Sequence, residues 1–244
     1  MSNVQVKKRK GSIEPLDLQK IHVMVEHACK DIAGVSPSQV EMQSGIQFYD
    51  GITTDEIQEI LIKSASDLID LDHPNYQFVA ARLLLFSVRK ALYGKMFTIP
   101  SLHDHITKCI DGGVYDSAIL DNYSIEEIEK CDQFIDHDRD FLFTYAGLRQ
   151  VVDKYLVQDR STDKVYELPQ FMYMLIAMTM FAKYNPTTRI NYVKRYYDAI
   201  SRHKINIPTP IMGGVRTPIR QFASCVLVDA DDTLDSIFSS DMAI

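Results

Sequence analysis

The chain has 244 residues, 46% of them hydrophobic, with a formal net charge of −7 and a pI near 5.5. That length and apolar content supply a core for one large domain or two smaller ones. The acidic balance argues against nucleic acid as a partner, because neutralising phosphates needs a basic surface; the longest apolar stretch, Phe171 to Ala182, is shorter than the roughly 20 residues of a membrane span, so no membrane association is expected.

The first residues end in Lys7-Lys8-Arg9-Lys10 with no apolar segment behind the charge. No secretory signal is read there, and a cytoplasmic location is expected. Val4, Val6 and Lys8 alternate with Gln5, Lys7 and Arg9, and Lys10-Gly11-Ser12 turns the chain toward a second short strand at Ile13 to Pro15, which predicts a β-hairpin. Asp17 is the expected cap of a first helix with apolar positions Ile21, Val25, Ala28 and Ile32, ending at Gly34. Ser36-Pro37-Ser38-Gln39 offers a capping serine, a first-turn proline and a glutamine three residues on, which opens a second helix. Thr53-Thr54-Asp55-Glu56 repeats that pattern before Ile57, Ile60, Leu61, Ala65, Leu68 and Ile69, and Asp72-His73-Pro74 opens a fourth helix running through Val79, Leu83, Phe86 and Leu92 to about Tyr93. Beyond Gly94 the pattern stays helical: Ser124 and Glu127 cap one segment, and residues 168–183 and 186–202 read as two more. A strand-like apolar run comes only at Ala223 to Val228.

Neither a GxxxxGK[ST] loop nor a strand–GxGxxG–helix unit is present, so a Walker or Rossmann nucleotide site has no support. The basic hairpin beside the helix at Asp17 suits a triphosphate, since cations and helix N-terminal N–H groups together favour polyanions; from composition alone a solvated charged hairpin stays open and is favoured. His103-Asp104-His105 and the run Asp136-His137-Asp138-Arg139-Asp140 read as caps and ion pairs rather than a metal site, because alternating helix positions do not converge on one ion. No metal is expected. Phe171, Tyr173, Phe181, Tyr184, Tyr192, Tyr196 and Tyr197 read as packing aromatics. Cys29, Cys109, Cys131 and Cys225 stand far apart without CxxC or zinc spacing, which fits reduced thiols; the first three read as buried hydrophobes. Cys225 follows Arg216 and Arg220, cations of the kind that lower a thiol pKa, although a buried structural cysteine is favoured without further information.

The run Pro208-Thr209-Pro210-Ile211-Met212-Gly213-Gly214-Val215-Arg216-Thr217-Pro218-Ile219-Arg220-Gln221-Phe222-Ala223-Ser224-Cys225 resembles the first barrel segment in the large, catalytic subunit of class I ribonucleotide reductases, and the resemblance extends over nearly the whole chain. It implies a mainly α fold: an ATP cone over residues 1–95, made of a four-helix bundle capped by a small β-sheet, then a helical region in residues 96–244 leading to the first strand of an incomplete ten-stranded α/β barrel. By that resemblance the effector site for ATP or dATP, carried with Mg²⁺, takes Lys8 and Arg9 from the hairpin, the turn Glu14, Pro15, Leu16, Asp17, Leu18, Gln19 and Lys20, then Thr54 and Lys90. Gln58 stands where some relatives have histidine. Thr209 and Ser224 are the implied substrate contacts and Cys225 the implied redox thiol, forming half of a disulfide during turnover. Asp232, Thr233 and Leu234 match the start of the specificity-effector site.

The family's remaining barrel residues have no counterpart here, so the resemblance implies a split or truncated subunit, inactive alone and completed by a carboxy-terminal fragment. It further implies a radical-generating small subunit that carries the radical cofactor, and thioredoxin or glutaredoxin as the reductant of the completed enzyme. A nucleotide-binding regulatory module with no catalytic role is the alternative.

Overall fold

The computed structural model describes residues 4–9, 11–219, 222–225 and 227–243. The expected hairpin is present: β1 (Gln5–Lys7) pairs antiparallel with β2 (Ile13–Pro15), Val6 opposite Glu14. Gly11 closes the turn at φ 86°, a left-handed backbone that favours glycine. Lys10, one of the four basic residues singled out above, lies outside the described residues. A third strand, β3 (Ile52–Thr53), runs parallel on the other edge of β1 with Ile52 opposite Val6. Two residues carry no alternation to read, which is why β3 was not expected.

Four helices follow in this half of the chain and pack on one another, α1 (Leu18–Cys29), α2 (Pro37–Gly45), α3 (Thr54–Asp67) and α4 (Tyr76–Tyr93). Asp17 caps α1 by accepting from the Gln19 and Lys20 amides. The helix ends at Cys29 instead of Gly34, with Asp31 in the left-handed region and Ile32 beyond the last turn. The Arg82 guanidinium explains the early stop: it donates to the carbonyls of Ala28 (3.3 Å) and Lys30 (2.5 Å), groups that a longer helix would have bonded internally. Pro37 opens α2 as expected, but Ser36 caps nothing with its side chain. Tyr76 takes over that corner: its hydroxyl accepts from the Ser36 amide at 3.0 Å and donates to the Gln39 carboxamide oxygen. At α3 the capping box is complete, Thr53 Oγ1 accepting from the Glu56 amide and Glu56 Oε2 from the Thr53 amide. α4 starts at Tyr76 rather than at Asp72-His73-Pro74, because Asp70 Oδ1 holds the His73 amide in a preceding turn at 2.6 Å. It ends at Gly94, φ 72°.

The helical pattern continues through α5 (Leu102–Asp111), α6 (Ala118–Asn122), α7 (Ile125–Phe134), a 3-10 segment (His137–Leu142) and α8 (Tyr145–Gln150), which passes into one π-helical turn (Val151–Tyr155). A small hairpin follows, β4 (Gln158–Asp159) with β5 (Lys164–Val165), then α9 (Pro169–Phe181), α10 (Arg189–Ser201), α11 (Thr209–Gly214) and α12 (Leu234–Ala243). α9 is the central element: Phe171, Met172, Met174, Leu175, Ile176, Ala177 and Met178 are all fully buried, so this helix is apolar around its whole circumference. α4 links the two halves, packing on α3 on one side and on α8 and the 3-10 segment on the other.

The strand expected at Ala223 to Val228 is not formed among the described residues, and Val226 lies outside them. Residues 222–225 and 227–230 are exposed. A strand exists only where a neighbour takes up its N–H and C=O groups, and no described strand flanks this segment. Among the described residues no helix is long and apolar enough to cross a membrane.

Candidate functional site

The hairpin, α3 and the end of α4 meet around a cavity of about 340 Å³ lined by Lys8, Arg9, Ser12, Glu14, Thr54, Gln58, Lys90 and Gly94. The alternation of β1 and its turn carry Lys8 and Arg9 to the mouth; the capping box fixes Thr54 as the first residue of α3; and the helical run of α4 brings Lys90 in from behind. Lys8 Nζ lies 3.3 Å from Glu14 Oε2, and Arg9 Nε donates to Asp55 Oδ1 at 2.6 Å. Lys90 has no ion-pair partner among the described residues. Its pKa is held below the usual lysine value, first by burial and then by the cations Arg9 and Lys8. Three cations facing two carboxylates leave an electropositive recess at a helix N-terminus, an arrangement that suits a polyphosphate. Gln58 is buried in the floor, where its Nε2 donates to the Leu83 carbonyl at 2.9 Å and ties α3 to α4.

Of the effector residues expected from the sequence, Lys8, Arg9, Glu14, Thr54 and Lys90 converge on this cavity, and Pro15, Leu16, Asp17, Leu18, Gln19 and Lys20 do not line it. Asp17 and Lys20 instead form the α1 cap and an ion pair at 3.3 Å. Ser12 and Gly94 were missed. Gly94 carried a signal, a glycine after a helical run, but as a helix stop rather than as a cavity wall.

The second expected site is dispersed. Thr209 is the first residue of α11, its hydroxyl 3.4 Å from Tyr155 Oη. Ser224 and Cys225 lie on the exposed segment, 3.7 Å apart through Oγ and Sγ, and no hydrogen bond among the described residues joins either to Thr209. Cys225 is exposed, so the buried structural reading does not hold, and Arg216 is not placed to act on its thiol. Arg216 is fully buried and its guanidinium is bound to Glu167, with Nε donating to Oε2 at 2.8 Å, so it is not available to a thiol on the surface; Arg220 and Gln221 lie outside the described residues. Thr233 Oγ1 accepts from the Ser236 amide at 3.2 Å and so starts α12, with Leu234 exposed on its first turn and Asp232 exposed just before it.

Both metal-like clusters resolve into caps and pairs, and no group of three metal-ligating side chains occurs among the described residues. Ser101 caps α5 by accepting from the Asp104 amide at 3.1 Å, while His105 is buried, stacked on Phe171 at 4.4 Å and 3.0 Å from the Tyr115 hydroxyl. Asp136 caps the 3-10 segment, Arg139 binds Asp198 at 2.9 Å, and Asp140 is buried 3.3 Å from Arg89. Cys29, Cys109 and Cys131 are buried and Cys225 is exposed. Of the aromatic run, Phe171, Tyr173 and Tyr197 are core, and Phe181 gathers Tyr184, Tyr192 and Tyr196 around its ring.

The ATP cone domain family matches residues 4–91, and the ribonucleotide reductase all-alpha domain matches residues 141–220. The chain is 52% identical over 242 residues to ribonucleoside-diphosphate reductase 1 subunit alpha of Escherichia coli K12, an alignment that takes in 99% of this chain and 32% of that protein. The corresponding subunit alpha of Haemophilus influenzae is 51% identical with the same coverage, and that of Enterobacteria phage T4 is 43% identical over 100% of this chain and 32% of its own length. The chain therefore spans about a third of the length of the curated relatives it matches.

Proposed function

We propose that this chain, which carries an ATP cone followed by a ribonucleotide reductase all-alpha domain, is the amino-terminal portion of a ribonucleoside-diphosphate reductase large subunit. Residues 1–95 form its allosteric unit and residues 96–244 its helical region and the beginning of the catalytic barrel. The observation that carries this reading is the convergence of Lys8, Arg9, Thr54 and Lys90 on one recess. ATP or dATP, with its Mg²⁺, occupies that recess; the cations meet the phosphates, and Glu14 and Asp55 release Lys8 and Arg9 to them as the nucleotide enters. The hydrogen-bonded Gln58 gives the floor a fixed amide where some relatives have a titratable ring.

In the completed enzyme Thr209 and Ser224 contact the ribonucleoside diphosphate. The Cys225 thiol and a second thiol each give up one proton and one electron: one proton leaves with the ribose 2′-hydroxyl as water, the other, with the two electrons, forms the C–H bond that replaces it, and the two sulfurs join in a disulfide. Thioredoxin or glutaredoxin restores the thiols. The second thiol, the radical cysteine and the rest of the barrel belong to the carboxy-terminal remainder of the subunit, and the radical itself to the small subunit. Asp232, Thr233 and Leu234 begin the specificity-effector site, and the assembly works in the cytoplasm. Support for a covering partner comes from residues 227–243, where Leu227, Leu234, Phe238 and Met242 are all exposed apolar side chains.

Combining this chain with the carboxy-terminal remainder of the subunit and a small subunit tests the proposal. Nucleoside diphosphate reduction should occur and should vanish in Cys225→Ser, with ATP binding retained. A folded, nucleotide-binding assembly without reductase activity would replace this reading by that of a regulatory module.

A further inference from the structure

Behind Thr209 lies a buried polar assembly that neither catalysis nor effector binding has used. Glu167 and Arg216 are both fully buried and form an ion pair. Burying two charges this way is costly unless every donor and acceptor is occupied, and here most are. Glu167 Oε1 accepts from the Val157 amide at 2.7 Å, and Oε2 accepts from the Tyr115 hydroxyl at 2.6 Å and from Arg216 Nε at 2.8 Å. The other two guanidinium nitrogens reach separate elements: Nη1 donates to the Met212 carbonyl in α11, and Nη2 to the Tyr155 carbonyl at the end of the π-helical turn, 3.0 Å away.

Arg216 therefore ties the helix that begins with Thr209 to the turn that ends with Tyr155. The two side chains meet as a result, Tyr155 Oη standing 3.4 Å from Thr209 Oγ1. Gln150 Nε2 donates to the same Tyr155 oxygen, also at 3.4 Å. With the carboxamide N–H donating to that oxygen, the pair has a ready direction in which the phenol hydrogen goes to Thr209. The threonine oxygen then accepts from behind, and its own hydrogen points outward.

We propose that Tyr155 is a positioning residue for Thr209, and that the Glu167–Arg216 pair is the clamp that holds the two in register. The arrangement makes Thr209 a hydrogen-bond donor to its ligand, which fits an oxygen rich in lone pairs such as that of a diphosphate. The separation is long for an O–H···O bond, and it shortens when the ligand draws on the threonine hydrogen. This inference rests on the reading that Thr209 contacts substrate.

The test is a double-mutant cycle in the reconstituted reductase, with KM and kcat for a ribonucleoside diphosphate measured for Tyr155→Phe, Thr209→Ala and the pair. Loss of one such bond should raise KM about threefold in Tyr155→Phe with kcat within about twofold. The double variant should be no worse than Thr209→Ala, because the phenol acts through the threonine alone. A Glu167→Gln variant that stays folded, judged by unchanged ATP binding, should raise KM similarly. If Thr209→Ala raises KM while Tyr155→Phe leaves it unchanged, or if the two effects multiply, the positioning role is overturned and the substrate contact stands. If Thr209→Ala itself leaves KM unchanged, the substrate contact and the positioning role both fall.

Discussion

His105→Phe should remove much of the acid sensitivity of this fold. His105 is 2% exposed, lies against Phe171 and Tyr115, and has its pKa pushed down to about 4, first by burial and then by the nearby cations Lys108 and Arg216, with Glu167 opposing. An unfolded histidine titrates near 6.5, so between pH 6.5 and 4 the unfolded chain binds more protons at this position than the folded one. Stability present above pH 6.5 is therefore lost as pH falls, and integrating from pH 7 to pH 5 gives about 2 kcal/mol from this one side chain. Phenylalanine keeps the ring stack on Phe171 and gives up the bond to Tyr115, which costs about 1 kcal/mol at pH 7 and does not titrate. Asp140, pushed up to about 6 by burial, works in the opposite direction and gains stability as pH falls, while His137, pushed down to about 4, adds to the loss. Both are present in the two proteins and largely cancel in the comparison. The chain has no tryptophan, so urea unfolding is followed by far-UV circular dichroism and tyrosine fluorescence at pH 7 and pH 5. The wild type should lose about 2 kcal/mol more than His105→Phe over that interval; equal losses would refute the reasoning.

Other expectations follow from single contacts. One thiol in four should react with a bulky disulfide reagent in the native protein at neutral pH, and Cys225→Ser should abolish that reaction: Cys225 is exposed, while burial pushes Cys29 and Cys109 up to about 11 and Cys131 up to about 12. Glu127→Ala removes the reciprocal cap of α7 and the carboxylate that Arg189 Nε meets at 2.7 Å. Leaving Arg189 buried against the Tyr123 ring without its counter-charge should cost about 2 kcal/mol and lower the thermal midpoint by roughly 5 °C.

Much of the fold could be read in the sequence because its signals are local. Asp17, the Thr53/Glu56 box, the Ser124/Glu127 box and Gly94 mark helix ends by chemistry that neighbouring residues complete. What escaped depends on distant partners. Arg82 ends α1 from 52 residues away, and Tyr76 takes the place of a Ser36 cap from 40 residues away. β3 exists through its pairing with β1, and the strand expected at Ala223 to Val228, which has no described neighbour, is not formed among the described residues. The candidate recess was partly legible, since Lys8, Arg9, Glu14, Thr54 and Lys90 meet there while the turn from Pro15 to Lys20 serves the α1 cap. Arg216 was misjudged for the same reason: a cation nine residues before a cysteine looks like its neighbour, and only the fold shows that Glu167 holds it.

The most direct test of the central claim is a calorimetric titration of this chain with ATP, compared with Lys90→Met. Lys90 faces the recess beside Lys8 and Arg9 with no ion-pair partner among the described residues, so the account predicts saturable binding of one ATP per chain, weakened about tenfold in the variant. Absence of ATP binding by the folded chain, or equal binding by Lys90→Met, would contradict it.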